Sequence, residues 1–254
     1  MIEEKPLMLR STTQNTSCPC CSFTPLCRGD LDASIDIVQE PLVERRLNLH
    51  RHQTLFEPNH PFQYLYVIEH GALKTYEIEA DGKELVRGFY FSGEVIGYDA
   101  ICSSRYHSTA VALCDTQVCE ISYDKFLKML QQKIELQKHV LYLLSLQLNM
   151  GSYLVSTSAE RKLAAFLLDL ASRLHASKMK LEFALPMSRQ DIGNYLRLTG
   201  ETISRLCTKL QKNMIIAIER RKVNILQPDV LRKIAEGLLS IEESNPSSCE
   251  RIIT

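Results

Sequence analysis

Four cysteines fall within ten residues in Cys18-Pro19-Cys20-Cys21-Ser22-Phe23-Thr24-Pro25-Leu26-Cys27, a stretch with too few large apolar side chains to build a core. Cysteine used for packing sits singly inside a strand or helix pattern. Crowding of this kind points to a soft metal or to redox chemistry. One reading has Cys18, Cys21 and Cys27 converge as thiolates, with the spacing C-x2-C-x5-C. Three ligands leave a tetrahedral centre one short, so a fourth must come from elsewhere in the chain.

The remainder of the chain must supply that ligand and report on it. At 254 residues there is room for two cores. A hydrophobic share of 45% and a charged share of 24% are those of an ordinary soluble globular protein. No basic-then-apolar leader precedes the cysteine run, which predicts a cytoplasmic protein. Nine cysteines in a reducing compartment do not make a disulfide framework. The longest uncharged run, 140–159, is interrupted by Ser145, Gln147, Asn149, Gly151 and Ser152, which excludes a bilayer span. Lysine plus arginine equal aspartate plus glutamate at 30 each, yet 159–236 carries 15 basic against 8 acidic residues. The C-terminal third is therefore the part suited to phosphate.

Residues 1–17 are polar and aperiodic and predict a flexible lead-in. Leu31, Ile35, Ile37, Val38 and Leu42 suggest a short helix. From Leu49 to Ser122, short apolar runs alternate with turn signals at His70-Gly71, Asp81-Gly82, Ser92-Gly93 and Gly97. Asp-Gly between alternating segments predicts a hairpin, and the series predicts a small sandwich or barrel. Helical periodicity then takes over. Ile134, Leu141, Leu148 and Val155 recur every seven residues, with Leu144 and Gly151 between them. A second stripe of Leu136, Val140, Leu143, Met150 and Leu154 widens the apolar face, so the helix needs cover on two sides and predicts a homodimer.

Ser158 caps a helix containing Leu163, Ala164, Phe166, Leu167 and Leu170. Ser188 and Asp191 form a capping-box pattern before Ile192-Gly193-Asn194-Tyr195-Leu196, and Thr199 caps the next helix after the Arg197-Leu198 turn. Two short helices about a tight turn are a helix-turn-helix. Two strands, 214–218 and 223–226, flank Glu219-Arg220-Arg221-Lys222 as a wing. In the second helix Ile203, Leu206 and Leu210 face inward, while Glu201, Ser204, Arg205 and Thr208 share the opposite face. Arg205 can present a fork to guanine and Glu201 can accept from cytosine, each such contact discriminating by about 1–3 kcal/mol. Lys209, Lys212 and the wing cations supply sequence-independent phosphate contacts, with Arg189 a further DNA-binding candidate. A bland alternative makes Glu201 and Arg205 an i,i+4 surface pair.

A cysteine run, a barrel, a long helix and a winged helix-turn-helix, in that order, resemble the catabolite-activator/FNR superfamily of bacterial transcription regulators. The oxygen-sensing FNR (fumarate and nitrate reduction regulator) branch is the best match. The likeness is carried by Cys20-Cys21-Ser22-Phe23-Thr24-Pro25-Leu26-Cys27, Gly97-Tyr98-Asp99-Ala100-Ile101 and Val118-Cys119-Glu120-Ile121. Further pieces are Glu160-Arg161-Lys162-Leu163-Ala164-Ala165-Phe166, Asp191-Ile192-Gly193-Asn194-Tyr195-Leu196 and Glu201-Thr202-Ile203-Ser204-Arg205. The resemblance implies an α+β chain: a cyclic-nucleotide-binding-like β-roll, or jelly roll, then a long dimerisation helix and a C-terminal winged helix-turn-helix. Its implied divisions are a cluster-binding segment at 1–30, a sensory β-roll at 31–125, a dimerisation helix at 126–157, a DNA-binding domain at 158–240 and a disordered tail at 241–254.

The same resemblance implies an oxygen-labile [4Fe-4S] cluster held by Cys18, Cys21, Cys27 and Cys119, a ligand set chemically suited to it. Cluster-loaded dimers of the family bind promoter DNA, and Glu201, Ser204 and Arg205 fall on its base-reading positions. Its RNA polymerase-contacting loop falls on 81–87. Three departures stand out. Cys20 adds a thiol inside the motif, the dimer helix carries no charge between His139 and Glu160, and the wing turn lacks glycine. Rival triggers on the same fold are thiol redox chemistry, zinc or a small ligand. For a cyclic nucleotide, the Arg-Ser pair that grips the phosphate reads His107-Ser108 here. No carboxylate pair, Ser/His/Asp set or glycine-rich phosphate loop suggests an enzyme.

Overall fold

The computed structural model describes residues 43–150, 158–174 and 181–242. Cys18, Cys20, Cys21, Cys27, the helix expected near Leu31 and the residues from 243 onward lie outside the described residues, as do Gly151 and Val155. The chain divides into two units that meet in sequence between His139 and Val140.

The first unit is two four-stranded antiparallel sheets. Strands β1 (Val43–Leu49), β8 (Thr116–Ser122), β3 (Tyr64–His70) and β6 (Val95–Ile96) form one, in the order β1-β8-β3-β6. Strands β2 (Thr54–Phe56), β7 (Thr109–Ala112), β4 (Ala72–Ile78) and β5 (Glu84–Phe91) form the other, in the order β2-β7-β4-β5. Leu47, Leu49, Tyr66, Ile68 and Val118 from the first sheet meet Leu73, Ala110 and Ala112 from the second in one core. The expected Asp81-Gly82 hairpin joins β4 to β5, with Gly82 at φ 80° and Glu79 and Lys83 hydrogen-bonded across it.

Strand β1 was not expected from its sequence, because Glu44-Arg45-Arg46 interrupts any apolar alternation. Its charges are matched by distant partners: the Arg45 guanidinium forks onto the buried Glu120 carboxylate at 2.6 and 3.1 Å. The expected continuous helix from 126 to 157 is corrected as well. The chain forms α1 (Tyr123–Gln132) and then α2 (Ile134–Met150), with Lys133 extended between them at φ −126°, ψ 102°. Gln137 donates from Nε2 to the Leu130 carbonyl at 2.6 Å, which satisfies one of the acceptors freed at the end of α1.

The second unit carries α3 (Ala159–Arg173), β9 (Glu182–Ala184), α4 (Arg189–Leu196), α5 (Gly200–Lys212), β10 (Ile216–Glu219), β11 (Lys222–Ile225) and α6 (Pro228–Glu236). The capping box at the start of α4 is present: Asp191 N–H donates to Ser188 Oγ at 3.0 Å and Ser188 N–H to Asp191 Oδ2 at 2.9 Å. Arg197 ends α4 in the left-handed region at φ 57°, and Thr199 Oγ1 accepts from Thr202 N–H to start α5. Gly193 lets the two helices meet, since a Cβ there would lie 2.7 Å from the Leu198 carbonyl oxygen.

The wing is a hairpin with Glu219 paired to Lys222, and β9 adds a third strand in the order β10-β11-β9. The tail expected from 241 onward starts too early. Ile241 is fully buried and belongs to this unit, because its side chain and both its backbone polar groups find partners there.

Candidate functional site

The most exposed face of α5 carries four of the side chains expected to read DNA. Glu201, Ser204, Arg205 and Thr208 are exposed, whereas Ile203, Leu206, Cys207 and Leu210 are buried beneath them. The Glu201 and Arg205 side chains make no hydrogen bond or ion pair with each other or with any other described side chain, so the i,i+4 surface pair does not form. The Ser204 and Thr208 hydroxyls donate back to the Gly200 and Ser204 carbonyls at 2.9 and 3.0 Å, leaving their oxygen lone pairs to accept. Lys212 is exposed at the last turn.

Two cations sit differently from expectation. Arg189, half-buried at the first turn of α4, faces the Cys207 thiol. Burial pushes that thiol above its ordinary range, and the guanidinium offsets part of the rise. Lys209 is already paired with carboxylates: its Nζ lies 2.9 Å from Glu242 Oε1 and 3.8 Å from Glu160 Oε1.

Of the four cysteines grouped as cluster ligands, only Cys119 is described. It lies mid-way along β8, directly opposite Arg46 of β1 and Val67 of β3. Val118, its neighbour, points into the core, so alternation turns Cys119 to the outer face of the sheet. Cys119 is 4% exposed, is in no disulfide, and its thiol lies 3.8 Å from Glu69 Oε2. Arg46 Nε approaches the same carboxylate oxygen at 3.1 Å. Neither Glu69 nor Arg46 was singled out from sequence, because Arg46 lies on the unexpected strand. No group of three or more potential metal-ligating side chains occurs among the described residues.

On α2, Ile134, Leu141 and Leu148 are 60%, 66% and 82% exposed, and Leu144 is half-buried between them. Leu136 and Val140, from the second stripe, are buried. The start of the second row is thus covered within the chain, whereas Ile134, Leu141 and Leu148 of the heptad row are not. No described helix is long and apolar enough to cross a membrane.

Comparison with known proteins follows this division. A family model described as "Cyclic nucleotide-binding domain" matches residues 46–133, and one described as "Crp-like helix-turn-helix domain" matches 161–234. The transcriptional activator protein Anr of Pseudomonas protegens is 33% identical over 244 residues, spanning 92% of this chain and 98% of that protein. The fumarate and nitrate reduction regulatory protein of Escherichia coli K12 is 33% identical over 243 residues, spanning 92% and 97%. The chain belongs to the FNR branch of the catabolite-activator/FNR superfamily. Among solved structures, FixK2 from Bradyrhizobium japonicum superposes with a TM-score of 0.68 at 25% identity, covering 74% of this chain and 96% of that one. The likeness to a CooA mutant from Carboxydothermus hydrogenoformans, TM-score 0.62 at 17% identity over 75% of this chain and 87% of that one, speaks for the fold alone. Members of this family are DNA-binding transcription regulators rather than enzymes, and this chain is a DNA-binding transcription regulator with a β-roll and a winged helix-turn-helix.

Proposed function

We propose that this regulator responds to oxygen through a [4Fe-4S] cluster held by Cys18, Cys21, Cys27 and Cys119, and that the cluster-loaded homodimer binds palindromic promoter sites. The observation that carries the reading is the placement of Cys119: a buried thiol on the outer face of a sheet strand, beside an arginine–carboxylate pair. A thiolate ligand adds negative charge next to Glu69, and Arg46 offsets it. Thiolate donors suit iron–sulfur chemistry, and the bound cluster supplies an oxygen-reactive inorganic core. The rigid strand would supply one ligand to the cluster, and Cys18, Cys21 and Cys27 would supply the other three.

Glu201, Ser204 and Arg205 read bases, with Lys212, Arg220, Arg221 and Lys222 on phosphates. Ile134, Leu141, Leu144 and Leu148, continued by Gly151 and Val155, form the homodimer seam. The exposed heptad row supports it, because apolar side chains at this spacing gain most by packing on a second helix. Residues 81–87 form the surface offered to RNA polymerase, and the protein works in the cytoplasm.

Anaerobic purification tests the reading. The expected protein is coloured, carries iron and sulfide, and loses operator affinity when air is admitted. A colourless protein with unchanged DNA affinity in air defeats it. A second reading, a small ligand inside the β-roll, has one observation in its favour: Tyr98 Oη and Ser108 Oγ are buried with no hydrogen-bond partner among the described residues. Against it, exposed His107 stands where a guanidinium fork would grip a cyclic phosphate. Thermal stabilisation by a cyclic nucleotide would favour this second reading over the first.

A further inference from the structure

The chain does not end its structural role with α6. Gly237, at φ 78°, turns the backbone back, and the Arg161 guanidinium donates to the Ala235 and Glu236 carbonyls at 3.4 and 3.1 Å. The left-handed backbone at Gly237 favours glycine, and a Cβ there would also lie 2.7 Å from that guanidinium and displace it. The returning segment is then pinned. Ile241 is fully buried, its N–H donates to Glu160 Oε2 at 3.2 Å, and its carbonyl accepts from Asn213 Nδ2 at 2.8 Å. Asn213 is the residue that ends α5, so the pinned segment lies along the DNA-reading helix.

The next residue, Glu242, meets Lys209. On a helix Lys209 lies only about 40° around from Arg205, on the flank of the exposed face. An ammonium there is well placed for a DNA phosphate, yet two carboxylates face it. One exposed ion pair is weak. Here a buried isoleucine and two backbone hydrogen bonds deliver Glu242 to its place, and Glu160 adds a second negative charge.

We propose that residues 238–242 act as a clasp that restrains DNA binding, Glu242 and Glu160 together holding the Lys209 ammonium away from the phosphate backbone. The clasp withholds one potential phosphate contact per protomer. Its function is to limit sequence-independent affinity, so that residence on DNA depends more on base reading and less on charge. It rests on the winged domain and is independent of the cysteine cluster.

The test uses the full-length protein and a random-sequence duplex, with affinity measured across a range of salt. Glu242→Gln is near-isosteric at an exposed site, and its thermal unfolding is compared with wild type to establish that the fold is kept. The expected result is tighter binding, on the order of 3- to 10-fold at low salt, and a log–log salt slope steeper by about one per protomer. Lys209→Gln alone should leave the slope unchanged, and Lys209→Gln added to Glu242→Gln should return it to the wild-type value. The proposal is overturned if Glu242→Gln leaves the slope unaltered, or if Lys209→Gln alone flattens it, since Lys209 would then reach phosphate with the clasp closed. Loss of the iron–sulfur reading leaves this readout intact, because random-duplex binding is compared between variants in the same metal state.

Discussion

The Cys119 sulfur lies 3.8 Å from the Glu69 carboxylate on the outer face of one sheet, with Arg46 3.1 Å from the same carboxylate. A sheet face on which three adjacent strands bring a thiol, an anion and a cation together is a poor place for a purely structural cysteine. Cys119→Ser replaces sulfur by a smaller, harder oxygen while keeping the shape of the side chain. Iron and sulfide in the anaerobically purified variant should fall to background, while the melting temperature of the metal-free protein stays within a few degrees of wild type. Iron retained at the wild-type level would remove Cys119 from the ligand set.

Arg205 and Lys212 share α5 but are expected to act differently. Arg205→Ala should cost about 1–3 kcal/mol at the operator and relax preference at one base pair. Lys212→Ala should weaken all sequences alike and flatten the salt slope by about one per protomer. Equal effects from both would mean that the assignment of reading and phosphate contacts is mistaken.

Leu141 is 66% exposed on the heptad row of α2. Burial of one leucine in each of two copies contributes about 3 kcal/mol or more to association. Leu141→Glu removes that term and sets two carboxylates against each other, so the dimer should weaken at least ~100-fold by sedimentation, with helical content unchanged. A dimer of unaltered stability would move the seam to another face.

The parts legible in the sequence were those with local causes. Ser188 with Asp191, and Thr199 before Thr202, satisfy their own helix termini within three residues, so the helix-turn-helix could be read directly. Asp81-Gly82 did the same for its hairpin. What was missed depends on partners distant in sequence. Strand β1 places Arg45 and Arg46 against Glu120 and Glu69, and no window of the sequence pairs them. The break at Lys133 has no proline or glycine to announce it. Ile241 reads as part of a polar tail until Asn213 and Glu160 are seen to hold it. For the same reason Lys209 read as an open cation: Glu160 is far off in the chain and Glu242 lay in the presumed tail.

Gly193 of α4 lies against the turn that leads into α5. An alanine Cβ would lie 2.7 Å from the Leu198 carbonyl oxygen and 3.0 Å from the Gly200 nitrogen, both backbone atoms that cannot swing aside. Gly193→Ala must push the helices apart, at a cost of about 1–3 kcal/mol. The winged unit should melt several degrees lower, and operator binding should fall more than random-duplex binding, because base reading depends on how α5 is set. Unchanged melting would mean that the turn relaxes at no cost.

Cys207 offers a test through pH. It is buried under α5, and burial raises its thiol above the ordinary range. The folded protein therefore keeps this proton over a pH range in which the unfolded chain has released it. Above roughly pH 8.5, where an unperturbed thiol ionises, the unfolded state binds fewer protons than the folded one, so stability falls as pH rises. Cys207→Ala removes that contribution. The difference in unfolding free energy between wild type and variant should be flat below about pH 8 and should shift against wild type from there upward. Alkylation gives a second readout: exposed Cys102 should react at pH 8 in the native protein, and Cys207 only once the winged unit unfolds. Native-state alkylation of Cys207 at the rate of Cys102 would contradict the burial on which both expectations depend.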